Sequence, residues 1–201
     1  MGSDAGDLER HPSLDERFDP AIRIVEHDVG WAARAREEMN RIAGALGPVA
    51  VRLEHVGSTA VSGLAAKPIL DLLLSVEAIE PRERYVAPIE RLGYLFVPDP
   101  GSADFHFFAK PAARPRSHHL HVCEAGSEHE LRHLALRDYL RGHDDEAKRY
   151  EAIKREAAGR FPQDRLAYIE AKEEYVRRLE ARAKKNFERG ASSCGSRRLS
   201  G

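Results

Sequence analysis

An α+β fold, in which a mixed β-sheet is covered by helices and the C-terminal third is helical, is what this sequence predicts. Three observations lead to it. The elements run in the order helix, strand, strand, helix, three strands, three helices, whereas a doubly wound parallel sheet would alternate more regularly. The run from Ile69 to Val76 is short and nearly all apolar, as a strand buried on both faces is. The last third repeats its apolar residues at helical spacing.

The first twenty residues are polar and Asp-rich, with Pro12 and Pro20, and read as a flexible leader (1–20) ending near a possible short strand at Ile22 to Val25. Trp31, Ala35, Met39, Ile42 and Leu46 follow helical spacing, and Gly47-Pro48 stops the helix. Val49, Val51 and Leu53 alternate with Ala50, Arg52 and Glu54, the pattern of a half-buried strand. A loop from Gly57 to Pro68 leads into the apolar strand. Pro81 opens a helix carrying Tyr85, Ile89 and Leu92, closed by Gly93. Tyr94 to Val97, Phe105 to Ala109 and His119 to Cys123 read as three further strands, separated by the turns Asp99 to Ser102 and Pro111 to Ser117. Ser127 and Glu130 form a capping box before Leu131, Leu134, Ala135 and Leu140. Asp144 is placed to cap a second helix through Tyr150 and Ile153. A third runs from about Gln163, with Tyr168, Ala171, Tyr175 and Leu179 on one face. From about Asn186 the Gly- and Ser-containing end reads as a disordered tail (186–201), which leaves 21–185 as a single domain.

Composition narrows the function classes. The formal net charge of −1 gives no global electrostatic reason to bind nucleic acid or a membrane surface. Two cysteines, Cys123 and Cys194, argue against a disulfide scaffold and fit a reducing compartment. No apolar run occupies Met1 to Arg10, and no segment has the roughly 20 apolar residues of a membrane helix. The expectation is a cytoplasmic protein.

The most informative stretch is Glu54 to Leu73. One strand delivers Gly57-Ser58 to its end, and Asp71 enters the next. Glycine lets backbone N–H groups approach an anion, and the Ser58 and Thr59 hydroxyls add donors. A carboxylate in an apolar run is costly to bury unless it meets a cation, a metal or a donor. Together these point to a phosphate-plus-metal site. A Gly-Ser turn is also commonly no more than a turn, and Asp71 can simply pair with a basic neighbour such as Lys67.

Glu-His-Val-Gly-Ser-Thr-Ala-Val-x-Gly-Leu-x-x-Lys-Pro-Ile-x-Asp, residues 54 to 71, resembles the signature of the GrpB (UPF0157) family. Phe107-Phe108-x-Lys110, His119-Leu120-His121-Val122, Leu136 to Arg141, Tyr150-x-x-x-Lys154 and Tyr168-x-x-x-Lys172 extend the likeness over roughly residues 22 to 183. That family is similar to the DNA polymerase β-like nucleotidyltransferases. The resemblance therefore implies a nucleotidyltransferase-like fold, a Gly-Ser that binds a triphosphate, and a paired acid, two residues apart, that binds two metal ions. The second acid would fall at position 73, which is Leu73. Two-metal transfer needs carboxylates that position both ions, whereas one carboxylate holds a single Mg²⁺ weakly, through phosphate oxygens.

His119 and His121 share one strand face, and the resemblance places this strand beside that of Asp71. They can bind Zn²⁺ or phosphate, act as acid and base, or simply hydrogen-bond across the sheet. His106 reads as structural, and Glu54 and His55 as loop supports. Tyr150/Lys154 and Tyr168/Lys172 each share a helix face. They are either packed tyrosines with snorkelling lysines or, with Arg137, a basic rim for an anionic substrate. The expected catalytic residues are thus Asp71, His119 and His121. The expected ligand-binding residues are Gly57, Ser58, Thr59, Lys67, Arg137, Lys154 and Lys172, and Asp71 is the Mg²⁺ ligand. Two functions follow: a nucleotide- or phosphometabolite-binding protein capable of nucleotidyl or phosphoryl transfer, or a non-catalytic binding or folding-assistance module. GrpB-like domains occur fused to dephospho-coenzyme A kinases, so the resemblance also implies a partner protein and a link to coenzyme A biosynthesis.

Overall fold

The apolar run at Ile69 to Val76 becomes an interior strand with both faces covered. In the computed structural model, which describes residues 21–98, 104–111 and 115–195, the strands are β1 (Arg52–Val56), β2 (Leu70–Val76), β3 (Leu95–Val97), β4 (Phe105–Lys110) and β5 (His118–Glu124). They form one five-stranded sheet in the order β1-β2-β5-β4-β3. The β2–β5 pair is parallel and the others antiparallel. This is the expected mixed sheet. The helices are α1 (Trp31–Leu46), α2 (Val86–Glu90), α3 (Glu128–Gly142), α4 (Asp144–Arg160) and α5 (Arg165–Gly195).

The period of two along β2 sorts its side chains onto two different faces. Leu70, Leu72, Leu74 and Val76 join Phe108, Leu120 and Val122 in the main core, against Trp31, Ala35, Ile42 and Leu46 of α1 and Tyr85 and Ile89 around α2. Asp71, Leu73 and Ser75 face the other way, beneath α3. There Leu73 packs with Val56, Cys123 and Leu134. Helices α4 and α5 pack on α3, with Leu140 and Leu179 buried beside Val61 and Leu64 of the long loop.

Local signals mostly act as expected. Ser127 caps α3 by accepting from the Glu130 N–H. Glu130 does not close the box on Ser127. Its buried carboxylate accepts from the Gly126 N–H at 2.6 Å and from Arg52 and Ser75, because the strand beneath offers donors that outcompete the cap. Asp144 is the first residue of α4 rather than its cap, and with Asp145 and Glu146 it meets the positive end of the helix dipole. Strand β1 begins at Arg52, after a 3-10 turn at Gly47–Val49, and Val51 stays exposed. The stretch at Ile22 to Val25 makes only a bridge from Val25 to Ala66. Helix α5 runs through Gly195, past the break expected near Asn186: once nucleated, a helix adds residues without a new nucleus, and no proline interrupts it. The expected leader, residues 1–20, lies outside the described residues, as do 196–201.

Candidate functional site

The turn after β1 closes directly onto Asp71. The register pairs Val56 with Asp71 and Asp71 with His119. Gly57 then turns at φ 69 and ψ −170, a conformation essentially reserved for glycine. A Cβ added there would lie 2.9 Å from the Asp71 Cβ and 3.0 Å from its Cγ. The glycine is therefore required twice, by its backbone angle and by the close approach of the carboxylate.

Asp71 accepts a hydrogen bond from His119 Nδ1 at 3.1 Å. Burial by itself would raise the Asp71 carboxyl. The His119 bond and the charges of His119, His121 and Lys67 outweigh it and hold the group below the usual carboxylate range. The bond from Nδ1 to Asp71 fixes the orientation of the His119 ring and turns Nε2 away from the carboxylate. The pair is an oriented acid–base unit.

The hydroxyl of Ser58 accepts from Lys154 Nζ at 3.0 Å, and the same ammonium donates to the Ala65 carbonyl at 2.6 Å. Burial pulls the Lys154 ammonium down to about 7; Lys172 and Arg155 add to the effect, and Glu151 and Asp71 oppose it. Its Nζ lies 4.6 Å from the centre of the Tyr150 ring. Burial also raises the Tyr150 hydroxyl, to about 12, against the lowering effect of its bond to Ser58. Lys67 and Lys172 each lie over the ring of Tyr168, at 5.4 and 5.5 Å. Desolvation lowers the Lys172 pKa.

Helix α3 clamps both ends of the turn. Arg137 Nη1 donates to Glu54 at 2.7 Å and to the His55 carbonyl at 3.3 Å, and its other donors go to Asp138. Arg141 reaches the Ala60 carbonyl through Nε and Nη2, at 3.0 and 2.9 Å. Inside the turn His55 Nε2 and the Thr59 hydroxyl lie 2.9 Å apart, and Thr59 also donates to the Ile69 carbonyl. Burial drives the His55 pKa to about 4, so the ring is neutral.

His119 also borders a cavity of about 280 Å³ on the far side of Lys67-Pro68, with Arg23, Lys67, Arg116, Gln163 and Arg165 in its walls. Among the described residues no carboxylate lines it, and four basic side chains do.

Residues 21–182 match the family described as GrpB protein. The chain belongs to the GrpB family. It is 40% identical to a UPF0157 protein of Pseudomonas aeruginosa over 82% of this chain and 69% of that one. It is 34% identical to the UPF0157 protein YqkA of Bacillus subtilis over 82% of this chain, and spans about half of that relative, 48%. The crystal structure of the conserved protein GrpB from Enterococcus faecalis superimposes with a TM-score of 0.76 at 32% identity, covering 82% of this chain and 99% of that one. A dephospho-CoA kinase of Mycolicibacterium paratuberculosis is 31% identical over 81% of this chain but only 46% of its own length.

In this GrpB chain Gly57, Ser58, Asp71, His119 and Lys154 do gather around one turn, and Lys67 connects it to the cavity. Thr59 and Arg137 spend their donors on the fold itself, because the turn has carbonyls and a histidine to satisfy. His121 lies across from Leu73 rather than Asp71 and faces α3. The cavity arginines Arg23, Arg116 and Arg165 lie far apart in sequence, each in or beside an irregular segment, and no spacing marks them. Arg141 was legible only as part of a family block.

The oxygen donors do not fit a resident Mg²⁺. Asp71 already accepts from His119, Glu54 is paired with Arg137, and Leu73, with 0% exposure, closes the position of a second acid. Among the described residues no helix is long and apolar enough to cross a membrane.

Proposed function

We propose that this GrpB chain binds a phosphorylated small molecule or nucleotide, with the anionic group in the cavity beside His119 and the Asp71–His119 pair orienting it. The observation that carries this reading is the lining: Arg23, Lys67, Arg116 and Arg165, with His119 and, among the described residues, no carboxylate. Guanidinium groups match phosphate oxygens in a planar, multidentate way. The volume of about 280 Å³ suits a phosphorylated fragment, with the rest of a larger ligand outside. With Asp71 held by His119 and a fully buried Leu73 at the position of a second acid, binding rather than two-metal nucleotidyl transfer is the activity this geometry supports. The dephospho-CoA kinase relative makes coenzyme A precursors the first ligands to test.

Calorimetric titration of the full chain with dephospho-coenzyme A, coenzyme A, ATP and inorganic phosphate, each with and without Mg²⁺, tests the reading. Saturable binding of at least one phosphorylated probe is expected. Lys67→Met should weaken it about tenfold, the loss of one charge-assisted contact, and Asp71→Asn, which removes the charge that orients His119, should weaken it as well. Absence of binding by every probe, or equal affinity in Lys67→Met, would refute it.

A further inference from the structure

Beneath α3, away from the cationic cavity, three histidines converge. His121 comes from β5, and His129 and His133 sit one turn apart on α3. One nitrogen from each lies within 4.8 Å of the others. The ring centres are 4.4 Å apart for His129–His133, 4.8 Å for His121–His133 and 5.5 Å for His121–His129.

The hydrogen bonding leaves lone pairs in the cluster. His133 donates from Nδ1 to the His129 carbonyl at 2.9 Å, so the neutral ring keeps Nε2 bare. That backbone bond is the kind of outer contact that fixes the tautomer and orientation of a metal-bound imidazole. His121 Nδ1 and His129 Nε2 are buried with no hydrogen-bond partner, and the whole His129 residue is only 7% exposed. A buried polar nitrogen without a partner is costly, and two such nitrogens in one cluster call for something that accepts lone pairs.

The surroundings favour a metal over a proton. Phe105 stacks on His129 with centroids 4.1 Å apart, and Phe107 packs against His121 at 5.2 Å. These rings hold the imidazoles in place and exclude water from one side. Burial lowers the pKa of all three, and with smaller contributions from His133 and Arg132 that of His129 falls to about 3. The rings are thus neutral imidazoles, the ligand form, at neutral pH. Asp71 acts electrostatically on His121 and His133, and Arg132 on His129 and His133.

We propose that His121, His129 and His133 form a binding site for a late first-row divalent metal ion, with Zn²⁺ as the fitting case. An all-imidazole set suits Zn²⁺, Cu²⁺, Ni²⁺ or Co²⁺ and discriminates against Mg²⁺ and Ca²⁺, which prefer oxygen. Tetrahedral Zn²⁺ with bonds of 2.0–2.1 Å places its ligand nitrogens about 3.3 Å apart, so modest side-chain rotation from the 4.8 Å spread closes the site. Three imidazoles leave the fourth position of a tetrahedral ion to water or a ligand. Three histidines plus an open position is the arrangement of catalytic rather than structural zinc. The site stands independently of the anion-binding reading, although His119 and His121 share one face of β5.

The test uses the full chain without a histidine tag, metal-depleted and titrated with Zn²⁺ and Co²⁺. One equivalent of Zn²⁺ should bind and raise the melting temperature, Co²⁺ should give the intense visible absorption of a four-coordinate site, and Mg²⁺ should do neither. His129→Phe, which keeps a ring against Phe105, and His121→Phe should each weaken Zn²⁺ binding at least tenfold. The Co²⁺ spectrum of the unmodified chain needs no variant to fold. A spectrum of aquated Co²⁺, weak uptake at several surface histidines, or Zn²⁺ affinity unchanged in both variants would overturn the proposal.

Discussion

Replacing Leu73 with aspartate puts back the second acid that the nucleotidyltransferase pattern calls for, and the structure indicates what it would cost. Leu73 is 0% exposed and packs on Val56, Cys123 and Leu134. Removing its side chain from that cluster forfeits about 1.5–3 kcal/mol of burial. A lone carboxylate in its place adds about 3–5 kcal/mol unless it is paired. Pairing is hard to find here. Position 73 lies directly across from Glu54, a like charge, and from His121, whose ring burial keeps neutral, and Arg137 is already committed to Glu54 and Asp138. The sum, roughly 5 kcal/mol or more, approaches the whole stability of an ordinary domain. At about 2–4 °C per kcal/mol for a chain of this size, the melting temperature should fall by roughly 10–20 °C. The assay is thermal and urea denaturation of Leu73→Asp in metal-depleted buffer and in millimolar Mg²⁺, with Leu73→Met as a control that should lose less than about 1.5 kcal/mol. Mg²⁺ should not rescue the aspartate variant. A near-unchanged melting temperature, or recovery on adding Mg²⁺, would refute the view that position 73 belongs to the core under α3.

Two further outcomes are expected. Gly57→Ala should cost about 1–3 kcal/mol from its backbone angle alone, more as Asp71 is displaced, and should abolish the binding of any phosphorylated probe; urea denaturation matching the parent chain would contradict the close approach. His55 has a folded pKa of about 4, below its unfolded value of about 6.5, so its contribution is present above pH 6.5 and lost as pH falls towards 4. One such proton is worth up to about 1.4 kcal/mol per pH unit, so between pH 7 and 5 the parent chain should lose about 1–2 kcal/mol more than His55→Asn in urea titrations, and equal losses would show that His55 is not buried neutral.

What was legible in the sequence followed local physics. The continuous apolar run at Ile69 to Val76 and period 3.6 along Trp31 to Leu46 survive into the fold, the first because only an interior strand covers apolar side chains on both faces and the second because one helix face collects them. The Gly57–Asp71 constellation was legible because glycine and a strand carboxylate are each unusual in their place. The misses share another cause. Ala171 was expected on the buried face of α5, yet it is exposed and Lys172 is the partly buried residue: a long lysine stem lying along Tyr168 covers more apolar surface than a methyl group, so polarity hid its burial. Lys154, 3% exposed and over the Tyr150 ring, follows the packed-tyrosine alternative of the sequence reading. His129 and His133 have metal-ligand spacing on a helix, but their third partner belongs to another element, and only the packing of α3 over β5 brings it close.

That packing makes α3 the element on which both sites depend. Successive turns of its inner side deliver Glu130 to Ser75 and Arg52, His129 and His133 to His121, Arg137 to the His55 carbonyl and Arg141 to the Ala60 carbonyl. A slip of one residue would rotate these side chains by about 100° and break all of these contacts together. Four separate reasons therefore hold one register: a buried carboxylate that must meet its donors, an imidazole stacked on Phe105, and two arginines whose targets are carbonyls in a fixed turn. The cap fixes the start of the helix, because Ser127 accepts from Glu130 only in this phase. The short capping signal at Ser127 thus sets, through the rigidity of one helix, the geometry of a turn that is more than sixty residues away in sequence.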